Sequence, residues 1–246
     1  MNFRVKKSFV FKGRFFKKDF FYRLVSPITM PHDLVLFDLD GTISDPLEGI
    51  GRSINFSLAH FGYETCELSE IAHYVGPPLD EIFKALTGVS GETEVMALVA
   101  KYRERYADVG YSENFLYPGV AEALASLSNA KIPIAVCTSK RKDFAERILA
   151  MFGLLHHFRF ISGGEIGIQK TQQLQALVAQ GLASRSSLMV GDRAVDVTAA
   201  HRNGLQAGGV LWGYGSQAEL LSAKPRYLFR SPWELLHIEG LTTPCA

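Results

Sequence analysis

Leu34-Val35-Leu36-Phe37-Asp38-Leu39-Asp40-Gly41-Thr42-Ile43-Ser44-Asp45 decides the fold of this 246-residue chain. Four apolar residues run straight into Asp38, with Asp40 and Gly41 close behind. A short continuous apolar run that ends in turn residues is the pattern of a strand buried on both faces of a parallel sheet. Open α/β sheets bind ligands just beyond the carboxyl ends of their strands, so both acids fall where chemistry is usually done. Adjacent carboxylates repel one another and resist desolvation. A divalent cation relieves that cost, because hard cations take carboxylate and carbonyl oxygens. Gly41 lets the backbone turn sharply after the pair. A bare D-x-D is often only a turn cap, since Asp is common in turns. D-x-D-G-T directly after an apolar strand is far more specific.

Working outward, Ile50, Ile54, Leu58 and Phe61 recur at helical spacing and stop at Gly62. The turn Gly76-Pro77-Pro78 leads into Leu79, Ile82, Phe83 and Leu86, and a third helix is expected over 92–106. Residues 46–117 therefore read as helical, with no strand pattern. After Tyr117-Pro118-Gly119 comes a helix over 120–127. Strands are then expected at 132–137, 158–161, 187–190, 207–211 and 227–229. Helices are expected between them at 141–152, 172–180, 194–203 and 217–221. This alternation predicts an α/β fold, a parallel sheet with right-handed crossovers and helices on both faces. The core is expected from 30–45 and 118–246, with 46–117 inserted as a helical cap over the active end of the sheet.

The later strands also end in polar residues. The second ends in Thr138-Ser139-Lys140, a turn whose hydroxyls and N–H groups suit an anion, although either hydroxyl serves equally well as a helix cap. Lys170 follows a glycine-rich loop; by itself it reads as a solvated charge. The fourth strand ends in Gly191-Asp192-Arg193-Ala194-Val195-Asp196, which places Asp196 one turn into a helix and facing back toward Asp192.

Taken in order, D-x-D-G-T, a strand ending in Thr, Lys, and G-D-x-x-x-D resemble the four motifs of the haloacid dehalogenase-like (HAD) superfamily. The resemblance covers residues 31–240. Within it, Tyr117-Pro118-Gly119-Val120, Gly76-Pro77-Pro78-Leu79 and Gly213-Tyr214-Gly215 resemble the phosphoglycolate phosphatase-like branch, which carries a helical cap after its first motif. The resemblance implies a Rossmann-like three-layer HAD core and a Mg²⁺-dependent phosphatase of small phosphomonoesters. Asp38 would be the nucleophile that forms an aspartyl-phosphate. Asp40 would be the general acid and then the base. Mg²⁺ would be held by Asp38, Asp192 and the Asp40 carbonyl, with Asp196 in support. Thr138, Ser139, Lys170 and the Gly41 turn would bind phosphate.

In many relatives a proline follows the motif lysine. Thr171 stands there instead, and it is expected to cap the next helix. The presence of Asp40 disfavours dehalogenation, because dehalogenase members lack this acid. The leading substrate is phosphoglycolate; a 5'-nucleotidase and a phosphosugar mutase use the same scaffold. A phosphonate hydrolase needs a Schiff-base lysine from the cap. Lys84 is the nearest candidate and reads more simply as an exposed helix residue. The turn 76–79 is expected to reach the substrate, and specificity would reside in cap residues of this kind. A different class, a catalytically silent binding protein, is argued against by the full set of acids.

Charge is uneven. Residues 1–29 carry eight basic groups against Asp19 alone, 8 − 1 = +7, leaving 18 − 24 = −6 for the other 217 residues. The main body therefore offers no case for nucleic-acid binding. The basic, aromatic N-terminal arm reads as an extension outside the fold, or as a membrane-surface or nucleic-acid arm. No run of eighteen apolar residues exists, so no membrane span is expected. Cys66, Cys137 and Cys245 have no metal-type spacing, which fits a reducing, cytoplasmic setting. The expected partner is a small phosphorylated metabolite, and the expected state a monomer or homodimer.

Overall fold

The computed structural model describes residues 32–165 and 167–238; the basic N-terminal arm and Cys245 lie outside the described residues. The chain enters through β1 (Val35–Phe37) and passes the acid turn to β2 (Ser44–Asp45). Four helices follow: α1 (Leu47–His60), α2 (Leu68–Ile71), α3 (Leu79–Thr87) and α4 (Glu92–Asp108). The chain returns on β3 (Phe115–Leu116). It then alternates through α5 (Val120–Asn129), β4 (Ile134–Cys137), α6 (Lys142–Met151), β5 (Ile161–Ser162), α7 (Lys170–Ala179) and β6 (Leu188–Gly191). It finishes with α8 (Ala194–Arg202), β7 (Gln206–Val210), α9 (Gln217–Ala223), β8 (Tyr227–Phe229) and a 3₁₀ turn at Pro232–His237.

Six strands form one parallel sheet in the order β5-β4-β1-β6-β7-β8. In order of appearance these core strands run 3-2-1-4-5-6, the doubly wound arrangement whose direction reverses beside the first strand. That reversal places the crevice at the carboxyl end of β1, between β4 and β6. Alternation along β1 explains why its run is wholly apolar. Val35 and Phe37 pack toward α5 and α6, among Leu124, Leu127, Ala145 and Ile148. Leu34 and Leu36 pack toward α7 and α8, among Leu174, Leu177, Val197 and Ala200. Both faces are covered by helices, so no position on the strand tolerates a polar residue until the sheet ends at Asp38.

The helical insertion carries a third apolar cluster of its own, with Ile54, Leu58, Ile82, Phe83, Leu98 and Tyr102. Phe144 of α6 belongs to it, so the insertion rests directly on the core. One expectation needs correcting: residues 46–117 do contain a strand. Ser44–Asp45 and Phe115–Leu116 pair antiparallel where the chain leaves and re-enters the core. Two residues per strand leave no readable alternation, and Phe115 is exposed, so main-chain pairing makes this ribbon without help from side-chain pattern.

Helix α1 meets the backbone after α4 at a pair of glycines. A Cβ on Gly49 would come within 1.9 Å of the Gly110 carbonyl oxygen. Backbone cannot yield there as a flexible side chain would. Gly49→Ala is expected to destabilise the protein by about 1–3 kcal/mol, the usual cost of overpacking. A urea unfolding curve with an unchanged midpoint would count against this packing.

Candidate active site

The strands that end at the crevice supply the acids. The Asp38 N–H donates to the Val190 carbonyl of β6 at 2.9 Å, so sheet pairing itself fixes where this side chain begins. Asp38 Oδ1 accepts from the Leu39 N–H at 2.8 Å. Its Oδ2 lies 2.6 Å from Lys170 Nζ. Lys170 opens α7, is 3% exposed, and also ion-pairs with Asp196. Burial alone would lower the Lys170 pKa, but Asp196 and Asp38 outweigh it and hold the ammonium protonated. The solvated lysine that a lone residue suggests is therefore a buried bridge between two acids.

Asp196 is the third residue of α8 and accepts the Arg193 N–H at 3.1 Å. Asp192 accepts the Tyr214 N–H at 2.8 Å and the Thr42 hydroxyl at 3.4 Å. Burial first, then the charges of Asp196 and Asp38, push the Asp192 carboxyl up to about 8. One carboxylate oxygen from each of Asp38, Asp192 and Asp196 lies within 4.8 Å of the others, and all three residues are buried. Three acids face one lysine, so the group, once ionised, carries more negative charge than Lys170 offsets. These are hard oxygen donors, and they fit a divalent cation such as Mg²⁺. Gly41 takes a left-handed φ of +78°, and a Cβ there would come within 2.1 Å of Asp192 Oδ2. Glycine is required twice over, for the turn and for the approach of Asp192.

Asp40 is not one of the three acids of that cluster. Its Oδ2 lies 2.8 Å from Lys140 Nζ, while its Oδ1 is buried with no hydrogen-bond partner among the described residues. Burial raises the Asp40 carboxyl above its ordinary range, with Lys140 opposing.

Thr138 is buried at the end of β4, its carbonyl accepting from Gln173 Nε2 at 2.9 Å and its hydroxyl from the Lys140 N–H at 3.2 Å. The β1–β4 register, Phe37 beside Val136, brings Thr138 and Asp38 to the same edge of the sheet. Two expected phosphate ligands fare less well. Ser139 is exposed, and the Gly41 N–H is committed to the Ser44 carbonyl at 2.9 Å. The expected Thr171 cap is also corrected. Helix α7 starts two residues earlier, and Gln169 caps it in a reciprocal box with Gln172. Side-chain length explains the difference, since a glutamine reaches the free N–H groups from a position where the motif lysine is left to face the acids.

Three residues make contacts that the sequence does not announce. Lys140 reaches from the core to both Asp40 and, at 2.8 Å, the Tyr106 hydroxyl of α4. Arg193, next to Asp192, donates to the Val75 carbonyl at 2.9 Å, which brings the 76–79 turn against the acid loop. Tyr214 donates its hydroxyl to Asp45 of the ribbon while its N–H holds Asp192. Lys84, by contrast, is exposed and pairs with Asp80 at 3.2 Å, an ordinary surface pair one helical turn apart.

Cys66 and Cys137 are free thiols. Burial pushes Cys137 up to about 12, so it is an inert core residue. No helix among the described residues is long and apolar enough to cross a membrane.

The chain is similar to known proteins in sequence and fold. Among curated relatives, the 5'-nucleotidase of Pseudomonas aeruginosa is 38% identical over 197 residues, 78% of this chain and 89% of that protein. Tyrosine-protein kinase PtkA of Mycobacterium tuberculosis is 39% identical over 198 residues, 78% of this chain and 66% of that protein. The phosphoglycolate phosphatase of Yersinia pseudotuberculosis is 30% identical over 215 residues, 84% of this chain and 93% of that protein. A solved structure of a haloacid dehalogenase-like family hydrolase from Streptococcus pneumoniae superposes with a TM-score of 0.77 at 28% identity, over 84% of this chain and 98% of that one. The model of the haloacid dehalogenase-like hydrolase family matches residues 35–210, from the first strand to the fifth strand of the parallel sheet. With that span covered and phosphatases among its relatives, the chain belongs to the haloacid dehalogenase-like hydrolase family, as a hydrolase of phosphomonoesters.

Proposed function

We propose that the chain is a Mg²⁺-dependent phosphatase of small phosphomonoesters that works through an aspartyl-phosphate on Asp38. The observation that carries this reading is the division of labour at the end of β1. Asp38 lies in the charged cluster with Lys170, Asp192 and Asp196, while Asp40, two residues on, keeps a buried carboxylate oxygen with no hydrogen-bond partner among the described residues.

The residues fit two balanced steps. An Asp38 oxygen attacks phosphorus; the new O–P bond forms as the ester P–O bond breaks, and the departing oxygen takes a proton from Asp40. Asp40, now a carboxylate, takes a proton from water, whose oxygen attacks phosphorus. The Asp38–phosphorus bond then breaks, releasing phosphate and restoring both acids. The raised carboxyl of Asp40 suits a group that must give a proton and take one back. Lys170 and Thr138 face the phosphoryl oxygens from the ends of the neighbouring elements. Mg²⁺, held by Asp38, Asp192 and the Asp40 carbonyl with Asp196 in support, supplies positive charge against those oxygens when bound.

Phosphoglycolate is the first substrate to test, on the resemblance of the turns at 76–79, 117–120 and 213–215. A nucleoside 5'-monophosphate is the second reading, supported by the 38% identity to a 5'-nucleotidase. Phosphate release from a panel of phosphomonoesters, with Mg²⁺ and with chelator, tests both. Release that needs Mg²⁺ is expected, and the best substrate selects between the readings. No release from any ester by folded protein would overturn the proposal.

Metal binding should depend on pH with a defined sign. Asp192 must be a carboxylate to hold Mg²⁺, and its carboxyl loses its proton only near 8. Affinity is therefore expected to weaken as pH falls from 8 toward 6, by up to about tenfold per unit. The metal-free protein should move the other way. Its folded state binds more protons than the unfolded chain below 8, so this group adds stability as pH falls. Calorimetric titration of Mg²⁺ at several pH values reads the first effect, and a flat affinity across that range contradicts it.

A further inference from the structure

We propose that Lys140 and Tyr106 are positioning residues that aim Asp40 at the leaving group of the substrate. The inference rests on the phosphatase reading above and adds two residues to its site, one of them from the helical insertion.

Asp40 has a single side-chain anchor among the described residues. Lys140 Nζ holds its Oδ2 at 2.8 Å, and its Oδ1 remains buried without a partner. A carboxylate with one oxygen pinned cannot rotate freely, so the free oxygen points one way. That oxygen is the one left to exchange a proton with a substrate or with water.

Lys140 is itself fixed from the opposite side. Its side chain is only 7% exposed, and Nζ donates to the Tyr106 hydroxyl at 2.8 Å. The same Nζ lies 4.8 Å from the centre of the Tyr106 ring. Asp40 and Tyr106 together outweigh the effect of burial and keep Lys140 protonated. A long flexible side chain with an acceptor on each side loses its freedom to wander.

Tyr106 cannot move alone. It is 2% exposed, stacks on Tyr102 at 5.3 Å with rings 13° apart, and meets Phe144 of α6 edge-on at 5.1 Å. Tyr102 in turn meets Phe83 edge-on at 6.4 Å. Arg147 of α6 closes the same contact, donating to the Ala107 carbonyl at 3.2 Å and lying 3.6 Å over the Tyr111 ring. A continuous path of packed rings thus runs from the interior of the insertion through Tyr106 and Lys140 to Asp40. The insertion supplies the group that fixes the orientation of the acid.

Chemistry separates this role from a merely structural ion pair. An alkyl phosphate expels a poor leaving group that must be protonated as it departs. A p-nitrophenyl phosphate expels a stable phenolate that needs no proton. Loss of aim at Asp40 therefore slows the first far more than the second, and kcat/KM reports the step in which the ester bond breaks. The test measures kcat/KM for glycerol phosphate and p-nitrophenyl phosphate with Mg²⁺ in the full chain, for wild type, Lys140→Met, Tyr106→Phe and the double variant.

The ratio of aryl to alkyl kcat/KM is expected to rise at least about tenfold in Lys140→Met, within the range that general acid catalysis contributes. A smaller rise of about threefold is expected in Tyr106→Phe, which keeps the rings and removes one acceptor. The double variant should match Lys140→Met, because Tyr106 acts only through the lysine. A ratio that stays at the wild-type value, whether both rates fall together or neither falls, overturns the inference while leaving the phosphatase reading intact. Where glycerol phosphate is not turned over, the best alkyl ester of the panel above takes its place, and a wild-type protein that hydrolyses no ester of that panel removes both readings.

Discussion

Asp38→Asn is expected to lower phosphate release by about a thousandfold or more, the scale on which loss of a nucleophile is felt. An amide oxygen carries no charge to drive attack on phosphorus, and the Lys170 contact at 2.6 Å loses its ionic partner on that side. The fold should survive. Asp38 shares its space with Asp192 and Asp196, and removing one of three crowded acids relieves repulsion in the metal-free protein. Active sites hold strain of this kind at a cost in stability. Loss of activity with a melting temperature at or above that of wild type is the expected pair of results. Activity within tenfold of wild type would remove Asp38 from the role of nucleophile.

Lys170→Met acts on the same cluster in the opposite sense. The lysine is the buried cation that touches both Asp38 and Asp196, and its side chain is 2% exposed. Methionine fills much of the volume and leaves the acids uncompensated. Breaking a buried ion pair by removing one partner costs about 3–5 kcal/mol, and a loss of that size is expected from urea unfolding at pH 8 without metal. The two acids raise the Lys170 pKa above its ordinary value, so its stabilising share is complete at neutral pH and is lost only in strong alkali. The deficit of the variant should shrink toward pH 5, because burial raises the carboxyls of Asp192 and Asp196 and they take up protons as the pH falls. Mg²⁺ should also recover part of it, since binding to the folded state stabilises it. A deficit below about 1 kcal/mol at pH 8 would show that Lys170 is not the charge that holds these acids together.

The sheet and its acids were legible because their signals are local. A strand covered by helices on both faces must be wholly apolar, and the first acid after Phe37 therefore marks its end. The same logic found Asp192 after Val190 and placed Asp196 on the next helix. What could not be read depends on contacts between distant segments. A lysine in a loop reads as solvated, and nothing near Lys140 announces that Tyr106, 34 residues earlier, accepts from it. The Ser44–Asp45 and Phe115–Leu116 ribbon is too short for any periodicity to show. The resemblance puts the Gly41 turn on the phosphate, yet the Ser44 carbonyl takes the Gly41 N–H. Its glycine is explained by the carboxylate of Asp192 pressing on it. The exposure of Ser139 has the same lesson, for a hydroxyl beside a motif residue need not face the crevice.

The central claim, a covalent phosphoryl group on Asp38, is tested most directly by trapping it. Turnover with excess substrate and Mg²⁺ is quenched in acid and treated with borohydride, which reduces an acyl phosphate to an alcohol. Peptide mass spectrometry then reads the segment that holds Asp38 and Asp40. Conversion of Asp38 to homoserine, dependent on substrate and absent at Asp40, is the predicted result. Rapid phosphate release with Asp38 unmodified throughout would mean that water attacks phosphorus directly, and would contradict the account.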